Sequence, residues 1–240
     1  MLTVDDKSVA YSFLPALGTV SRGGMTDRVQ ALLREAIVSG ELPPGADIDK
    51  QAVCERLSVS RFPVSEALAR LQTEGLVEIQ PQRGTRVTRI RLNDVRQSTF
   101  IRRALEAQTV RALAERRDAS LIEALERNLR YQAAAVSAGD RIGFHQLDLE
   151  FHQTLVDALG FARVRLAVEQ ARASLDRVRR LLASPRRHAV TFSEHERIVE
   201  ALRNADADAA ARAMDAHLDA VVTELEAFAR NEPSIFDDGA

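Results

Sequence analysis

Apolar residues recur along this chain in two rhythms, and the change from one to the other divides it. From Met25 to Ser39 the positions Val29, Leu32, Leu33, Ala36 and Ile37 return at the helical period, and Gly40 supplies a stop. Leu42-Pro43-Pro44-Gly45 is a turn, after which Asp49 is placed to cap a short helix over Lys50–Leu57. Ser58-Val59-Ser60 then turns into a third helix, with Val64, Leu68 and Leu71 on its inner face and Glu74-Gly75 at its end. The next stretch is strand-like: Leu76–Ile79, a Pro81-Gln82-Arg83-Gly84 turn, and Arg86–Thr88. Three helices and a two-stranded wing are therefore expected, a shape that can lay one helix in the major groove of DNA and bring an arginine to the backbone.

From Leu92 onward the texture is helical, rich in Ala, Leu, Arg and Glu, with Pro185 the only proline before Pro233. Leu121, Leu125, Leu129, Ala133 and Val136 form one stripe, and Val164, Val168, Ala171, Leu175, Val178 and Leu182 form another. Breaks near Asp118, Gly139-Asp140, Gly160, Ser184-Pro185 and Ala205-Asp206 divide the region into about six helices, for which an antiparallel bundle buries the stripes. The fold class is thus mainly α, an N-terminal winged helix-turn-helix plus a C-terminal all-helical bundle. The expected boundaries are an N-terminal extension over 1–23, a winged helix over 24–91, a helical domain over 92–230 and a frayed tail over 231–240.

Composition narrows this little. Among 240 residues, 45% are hydrophobic and 28% charged, as in an ordinary globular protein, and no apolar run approaches the ~20 residues needed to cross a bilayer. The first residues carry Asp5 and Asp6 and no basic cluster, which argues against a signal peptide and for a cytoplasmic location. A single cysteine, Cys54, rules out an intrachain disulfide. The formal charge of −2 is no nucleic-acid signature, yet Arg83, Arg86, Arg89 and Arg91 form a local basic run without an acid.

The informative residues of the helical half are polar ones on apolar faces. With Phe144, Leu147, Phe151 and Leu155 as the buried face of one helix, Asp148 and His152 lie on or beside it, one turn apart. His195 falls with Ile198, Val199 and Leu202, and His217 with Met214, Leu218, Val221 and Leu225. Three histidines and a carboxylate therefore head inward from three helices. A buried carboxylate needs a charge partner, a proton or a metal, and this N3O set suits Zn, Ni, Mn or Fe with coordination positions left open. The plainer alternative is separately satisfied core histidines plus an Asp–His or Asp–Arg pair. His145 flanks the same face, where it is either a partner behind the ligands or, the plainer expectation, a surface histidine, while His188, following Pro185-Arg186-Arg187, is expected in a solvated loop.

The segments LREAIVSGELPPG (Leu33–Gly45) and SVSRFPVSEALARLQTEGLVEIQPQRGTRV (Ser58–Val87) resemble the winged helix-turn-helix of the GntR transcriptional regulators. Asp148-x-x-x-His152, Glu194-His195-x-x-Ile198 and His217-Leu218 resemble the motif of the FCD ligand-binding domain of the FadR subfamily. The resemblance implies that Asp148, His152, His195 and His217 are metal ligands and that Arg102 faces an effector pocket. It implies that Arg34, Ser60, Arg61, Arg83 and Gly84 touch DNA. Where the family's recognition helix reads Arg-Thr-Pro-Val-Arg-Glu-Ala-Leu, this chain has Arg61-Phe62-Pro63-Val64-Ser65-Glu66-Ala67-Leu68. Phe62 and Ser65 are departures on the reading surface. Ser65 removes a bidentate donor, and Phe62 could press on a thymine methyl or a sugar, or only pack. Ser58 stands where a turn glycine is common, which suggests a turn without positive φ.

The function expected is that of a homodimeric DNA-binding transcriptional regulator, a repressor in the commoner family behaviour. It would bind a pseudo-palindromic double-stranded operator under the control of a small organic acid held at the metal. Two alternatives stand beside it: a metal-dependent enzyme acting on a small carboxylate, which lacks an evident general base because Glu150 lies on the far side of its helix and Glu194 need not face the way His195 does, and a helical scaffold without metal.

Overall fold

The computed structural model describes residues 11–15, 24–173 and 175–237, and divides into two compact units. The chain passes from the first unit to the second at Arg91–Leu92 and returns at Asn231–Glu232.

In the first unit, α1 (Met25–Ser39) ends at Gly40, whose φ of 88° is the left-handed value a C-terminal glycine accommodates without strain. Strand β1 (Asp47–Ile48) comes next, then α2 (Lys50–Leu57), where the Asp49 carboxylate accepts from the backbone N–H groups of Gln51 and Ala52. Such a cap stabilises the helix by about 1 kcal/mol. Helix α3 (Arg61–Thr73) leads into β2 (Val77–Gln80) and β3 (Gly84–Val87), and the antiparallel sheet has the order β1-β3-β2. Val29, Leu33 and Ile37 of α1, Val53 and Leu57 of α2 and Val64, Leu68 and Leu71 of α3 form its core.

This unit differs from the sequence-based expectation at four places. The wing has a third strand, because Asp47 and Ile48 pair with Arg86 and Thr85, a run too short to show a period. Ser58 does adopt positive φ, at 53°, so the turn into α3 carries the left-handed residue that glycine would supply. Within the expected extension, Tyr11 and Leu14 are buried in the core, and the Arg56 side chain donates to the carbonyls of Tyr11, Ser12 and Leu14. The rest of the extension, 1–10 and 16–23, lies outside the described residues, as do 238–240 of the tail. The described part of the tail is not frayed. Phe236 is buried, and Ile90 exchanges backbone hydrogen bonds with Ile235 (3.1 Å) and Asp237 (2.9 Å). One apolar side chain anchors an otherwise polar stretch.

The second unit is all helical: α4 (Leu92–Arg102), a π-helical turn (Arg103–Ala107), α5 (Gln108–Arg116), α6 (Ala119–Ala138), α7 (Arg141–Leu159), α8 (Ala162–Ala173), α9 (Asp176–Leu182), α10 (Pro185–Arg203) and α11 (Ala207–Asn231). The predicted breaks recur as caps. Asp118, Asp140 and Ser184 cap α6, α7 and α10 through side-chain oxygens, and Gly139 and Gly160 close α6 and α7. Helices α6 and α7, and α10 and α11, pack on each other across short connections, as hairpins of a bundle do. Val110, Leu125, Phe151, Leu155, Ile198, Leu202, Met214 and Leu218 form the core. The stripe from Val164 to Leu182, expected as one helix, is broken between α8 and α9.

Relief of the left-handed backbone at Ser58 gives a direct test. Ser58→Gly should raise stability by about 0.5–1 kcal/mol, the strain removed less the entropy glycine adds to the unfolded chain, visible as a higher thermal midpoint. An unchanged or lower midpoint would mean that the left-handed turn carries no strain worth relieving.

Candidate metal centre

Helix α7 supplies two of the four central side chains. Its buried face is Phe144, Asp148, Phe151, His152, Leu155, Val156 and Leu159, so the polar pair sits in the middle of the apolar face and Leu147 is only half-buried. One turn separates Asp148 from His152, and both leave the same side of the helix. His195 from α10 and His217 from α11 meet them, and all four are buried, with one ligand atom from each lying within 4.8 Å of the others. The His195 ring stacks on Phe151 at 4.0 Å between centroids.

Each imidazole is held from behind. Nδ1 of His152 donates to Glu106 Oε2 (2.6 Å), Nδ1 of His195 to Gln132 Oε1 (2.9 Å) and Nδ1 of His217 to Glu194 Oε2 (2.8 Å). The acceptors are themselves held: Glu106 by Arg102 at 2.5 Å, Glu194 by Arg187 at 2.9 Å, and Gln132 by donating to Asn128 (2.6 Å), which donates to the Leu147 carbonyl (3.1 Å). With a proton on every Nδ1, every Nε2 presents a bare lone pair to the interior. Outer partners of this kind are what fix the orientation and tautomer of a metal-binding histidine.

The inner side then has an electrostatic problem. Nε2 of His152 and Nε2 of His217 face each other at 3.2 Å, and the buried Nε2 of His195 has no hydrogen-bond partner among the described residues. Asp148 Oδ1 lies 3.6 Å from His195 Nε2 and 3.9 Å from His152 Nε2, while its other oxygen is held by Arg179. Facing lone pairs repel unless a cation lies between them. A proton is a poor answer, because burial disfavours the charged imidazolium: the pKa values of His152 and His195 are pushed well below the usual histidine range, and that of His217 down to about 3. Burial opposes ionisation of Asp148, but the Arg179 guanidinium beside it outweighs burial, and its carboxyl is held well below the ordinary value. The set is therefore three neutral imidazoles and a carboxylate, the protonation states metal ligation requires. Two ligands of one ion with bonds of about 2.1 Å lie about 3–4 Å apart, and the pairs His152–His217, Asp148–His195 and Asp148–His152 lie at 3.2, 3.6 and 3.9 Å. These residues fit a divalent transition-metal ion.

Several contributors were not singled out from sequence. Glu106 lies in the π-helical turn, an irregularity frequent at functional sites, and faces inward one turn from Arg102. On α6 the buried face is Leu121, Leu125, Asn128, Gln132 and Ala135, rotated from the expected stripe. Asn128 and Gln132, four apart, were the visible signal, two amides interrupting an apolar run. Arg179 came into reach through the break before α9, which the heptad-like pattern concealed. Glu194 turns toward His217. His188 is in no solvated loop: it sits in the first turn of α10, buried and stacked on Phe144 at 4.5 Å, because Ser184 and Pro185 start the helix before it. His145 is half-buried rather than at the surface. Arg102 is 1% exposed, its Nε committed to Glu106 and its terminal nitrogen 3.4 Å from His152 Nδ1.

The residues expected to meet DNA lie in the first unit. Ser60, Arg61, Phe62 and Ser65 are all exposed at the start of α3, and Arg83 and Gly84 at the wing tip. Arg34 is half-buried and paired with Glu74 at 3.1 Å.

Residues 25–87 match the family described as "Bacterial regulatory proteins, gntR family", and residues 97–220 match the FCD domain. The chain belongs to the GntR family of bacterial regulators and carries an FCD domain. It is similar to the HTH-type transcriptional repressor RspR of Escherichia coli K12, 34% identical over 81% of this chain and 86% of that protein. It is 28% identical to the HTH-type transcriptional regulator LutR of Bacillus subtilis over 80% of this chain and 97% of the relative. The fold is shared with a GntR regulator structure from Rhodococcus sp. RHA1, at a TM-score of 0.70 and 24% identity over 84% of this chain and 97% of that one. The chain is thus a DNA-binding transcription regulator, and these relatives are regulators rather than enzymes. No helix among the described residues is long and apolar enough to cross a membrane.

Neutral buried histidines make stability depend on pH. Their folded pKa values lie below the unfolded value of about 6.5, so protonation favours the unfolded chain, and the stability present above pH 6.5 is lost progressively as the pH falls below it. The metal-free protein should lose stability between pH 6.5 and 5 with a slope of up to about 1.4 kcal/mol per pH unit for each histidine. Denaturant melts across that range check it, and a flat profile would contradict neutral burial.

Proposed function

We propose that this regulator is a metal-dependent repressor of the FadR subfamily, released from its operator by a small organic acid bound in the FCD domain. The observation that carries the metal is the convergence of three Nε2 atoms, each with its Nδ1 committed outward, one of them buried without a hydrogen-bond partner among the described residues. Asp148, His152, His195 and His217 would hold a Zn, Ni, Mn or Fe ion. A bound ion of this kind supplies a Lewis-acidic centre with positions open to a carboxylate.

The protein's own groups do the rest. Glu106, Gln132 and Glu194 keep the three rings aimed, and Arg179 fixes one oxygen of Asp148 so that the other faces the histidines. Arg102, fully buried next to His152, provides positive charge beside the cluster for an anionic effector. Ser60, Arg61, Phe62 and Ser65 of α3, with Arg34 and the wing residues Arg83 and Gly84, form the DNA-reading surface. One recognition helix reads too few base pairs for useful specificity, so the working form is a homodimer on a pseudo-palindromic site. The relative named a repressor supports that sign of regulation.

A mobility-shift titration on the DNA upstream of the protein's own coding sequence tests this reading, using metal-loaded and metal-free protein and a panel of small hydroxy and dicarboxylic acids. The expected result is a shift in low salt and an acid that weakens it some 5- to 150-fold with the metal-loaded protein only. An acid response equal in metal-free protein and in His195→Ala would contradict the metal's role, and no shift at any salt would contradict the operator.

A further inference from the structure

The outward face of α3 is unusual for a helix that reads DNA, because its central stripe carries no cation. Phe62, Ser65 and Ala69, spaced three and four residues apart, are all exposed, and Phe62 is 74% exposed. Arg61 lies beside the stripe at the helix start. Toward the other edge, Arg70 is occupied, pairing with Glu66 at 3.3 Å and Asp27 at 2.8 Å. The inner residues Pro63, Val64, Ala67 and Leu68 are buried, so α3 cannot rotate to cover Phe62 without exposing the core. A large aromatic ring is thus fixed in water on the second residue of the helix, where base contacts are made.

Only one base offers such a ring a matching surface in the major groove. Thymine presents a C5-methyl group, whereas guanine and adenine present acceptors and donors that a phenyl ring would desolvate without replacing. Ser65, one turn on, is too short to reach past Phe62 and clamp a guanine as a guanidinium would.

We propose that Phe62 is a specificity-determining residue that reads a thymine methyl group, requiring thymine at one fixed position of each operator half-site. This rests on DNA binding through α3 and adds the base that is read. Arg61 sets the neighbouring contact, and the stripe of Phe62, Ser65 and Ala69 makes the face select for methyl groups rather than for guanine.

The test begins with selection of duplexes from a random pool by the full-length protein and by Phe62→Ala. Each selected thymine is then replaced by deoxyuridine, which removes the methyl group alone. Phe62 is exposed, so the variant should fold, and its melting curve checks that. The expected result is one thymine per half-site whose replacement weakens the unaltered protein about fourfold, the value of one buried methyl group. Phe62→Ala should bind the thymine duplex more weakly and be indifferent to that replacement, while Phe62→Leu should keep part of the discrimination. Selection of half-sites without a fixed thymine overturns the proposal, as does an equal deoxyuridine penalty in the protein and in Phe62→Ala. Enrichment of no duplex by either protein, even in low salt, would instead remove DNA binding itself.

Discussion

The structure of the helical unit turns on one constraint: three imidazoles are buried with their outer nitrogens already satisfied, so their inner nitrogens must find a common partner. Glu106, Gln132 and Glu194 each take one Nδ1 proton, and this forces the Nε2 lone pairs of His152, His195 and His217 toward Asp148. Around this centre lie three buried or half-buried ion pairs, Arg102–Glu106, Arg187–Glu194 and Arg179–Asp148. Such pairs contribute little net stability, yet removing one member costs about 3–5 kcal/mol because the other is left charged and dry. The arrangement is therefore a poor way to fill a core, and its benefit is geometric. It holds four ligand groups in one orientation before anything binds.

The helices that carry these groups are also the ones the chain uses to reach its DNA-binding unit. Arg102 and the π-helical turn close α4, which begins at Leu92, and His217 lies on α11, which ends at Asn231. Arg96 ties the two together through Glu226 at 2.7 Å. A ligand that changes the packing of α4 or α11 thus acts on the segments continuous with both covalent passages between the units. For regulation such a ligand must favour one of two states by a differential binding free energy, and about 1–3 kcal/mol is the usual size of such coupling.

Much of this was legible from the residues. Helices α1 and α2 follow directly from the apolar period, the Asp49 cap and the Gly40 stop, and the convergence of Asp148, His152, His195 and His217 follows from polar residues placed on apolar faces. The partners behind the histidines were harder to see, because Glu106, Gln132 and Asn128 look like solvent-facing residues until the helix rotations are known, and at Glu106 a π-helical turn shifts the rotation in a way no 3.6-residue period reports. The break before α9 and the strand at Asp47–Ile48 were missed for the same kind of reason: tertiary contacts fix them over too few residues to leave a pattern. Ser58 shows the opposite failure, a local preference overridden by the need to turn sharply between α2 and α3.

A preorganised site of neutral histidines takes up a metal ion without giving up protons, and calorimetric titration of Zn²⁺ into metal-free protein at pH 6 measures both properties. Performed in two buffers of different ionisation enthalpy, it reports both stoichiometry and proton release. One ion per chain is expected, with loss of that site in His195→Ala and almost no proton release, although three ordinary histidines would give up about two protons at this pH. Absence of stoichiometric binding, or binding that His195→Ala leaves unchanged, would mean that these four side chains hold no metal ion.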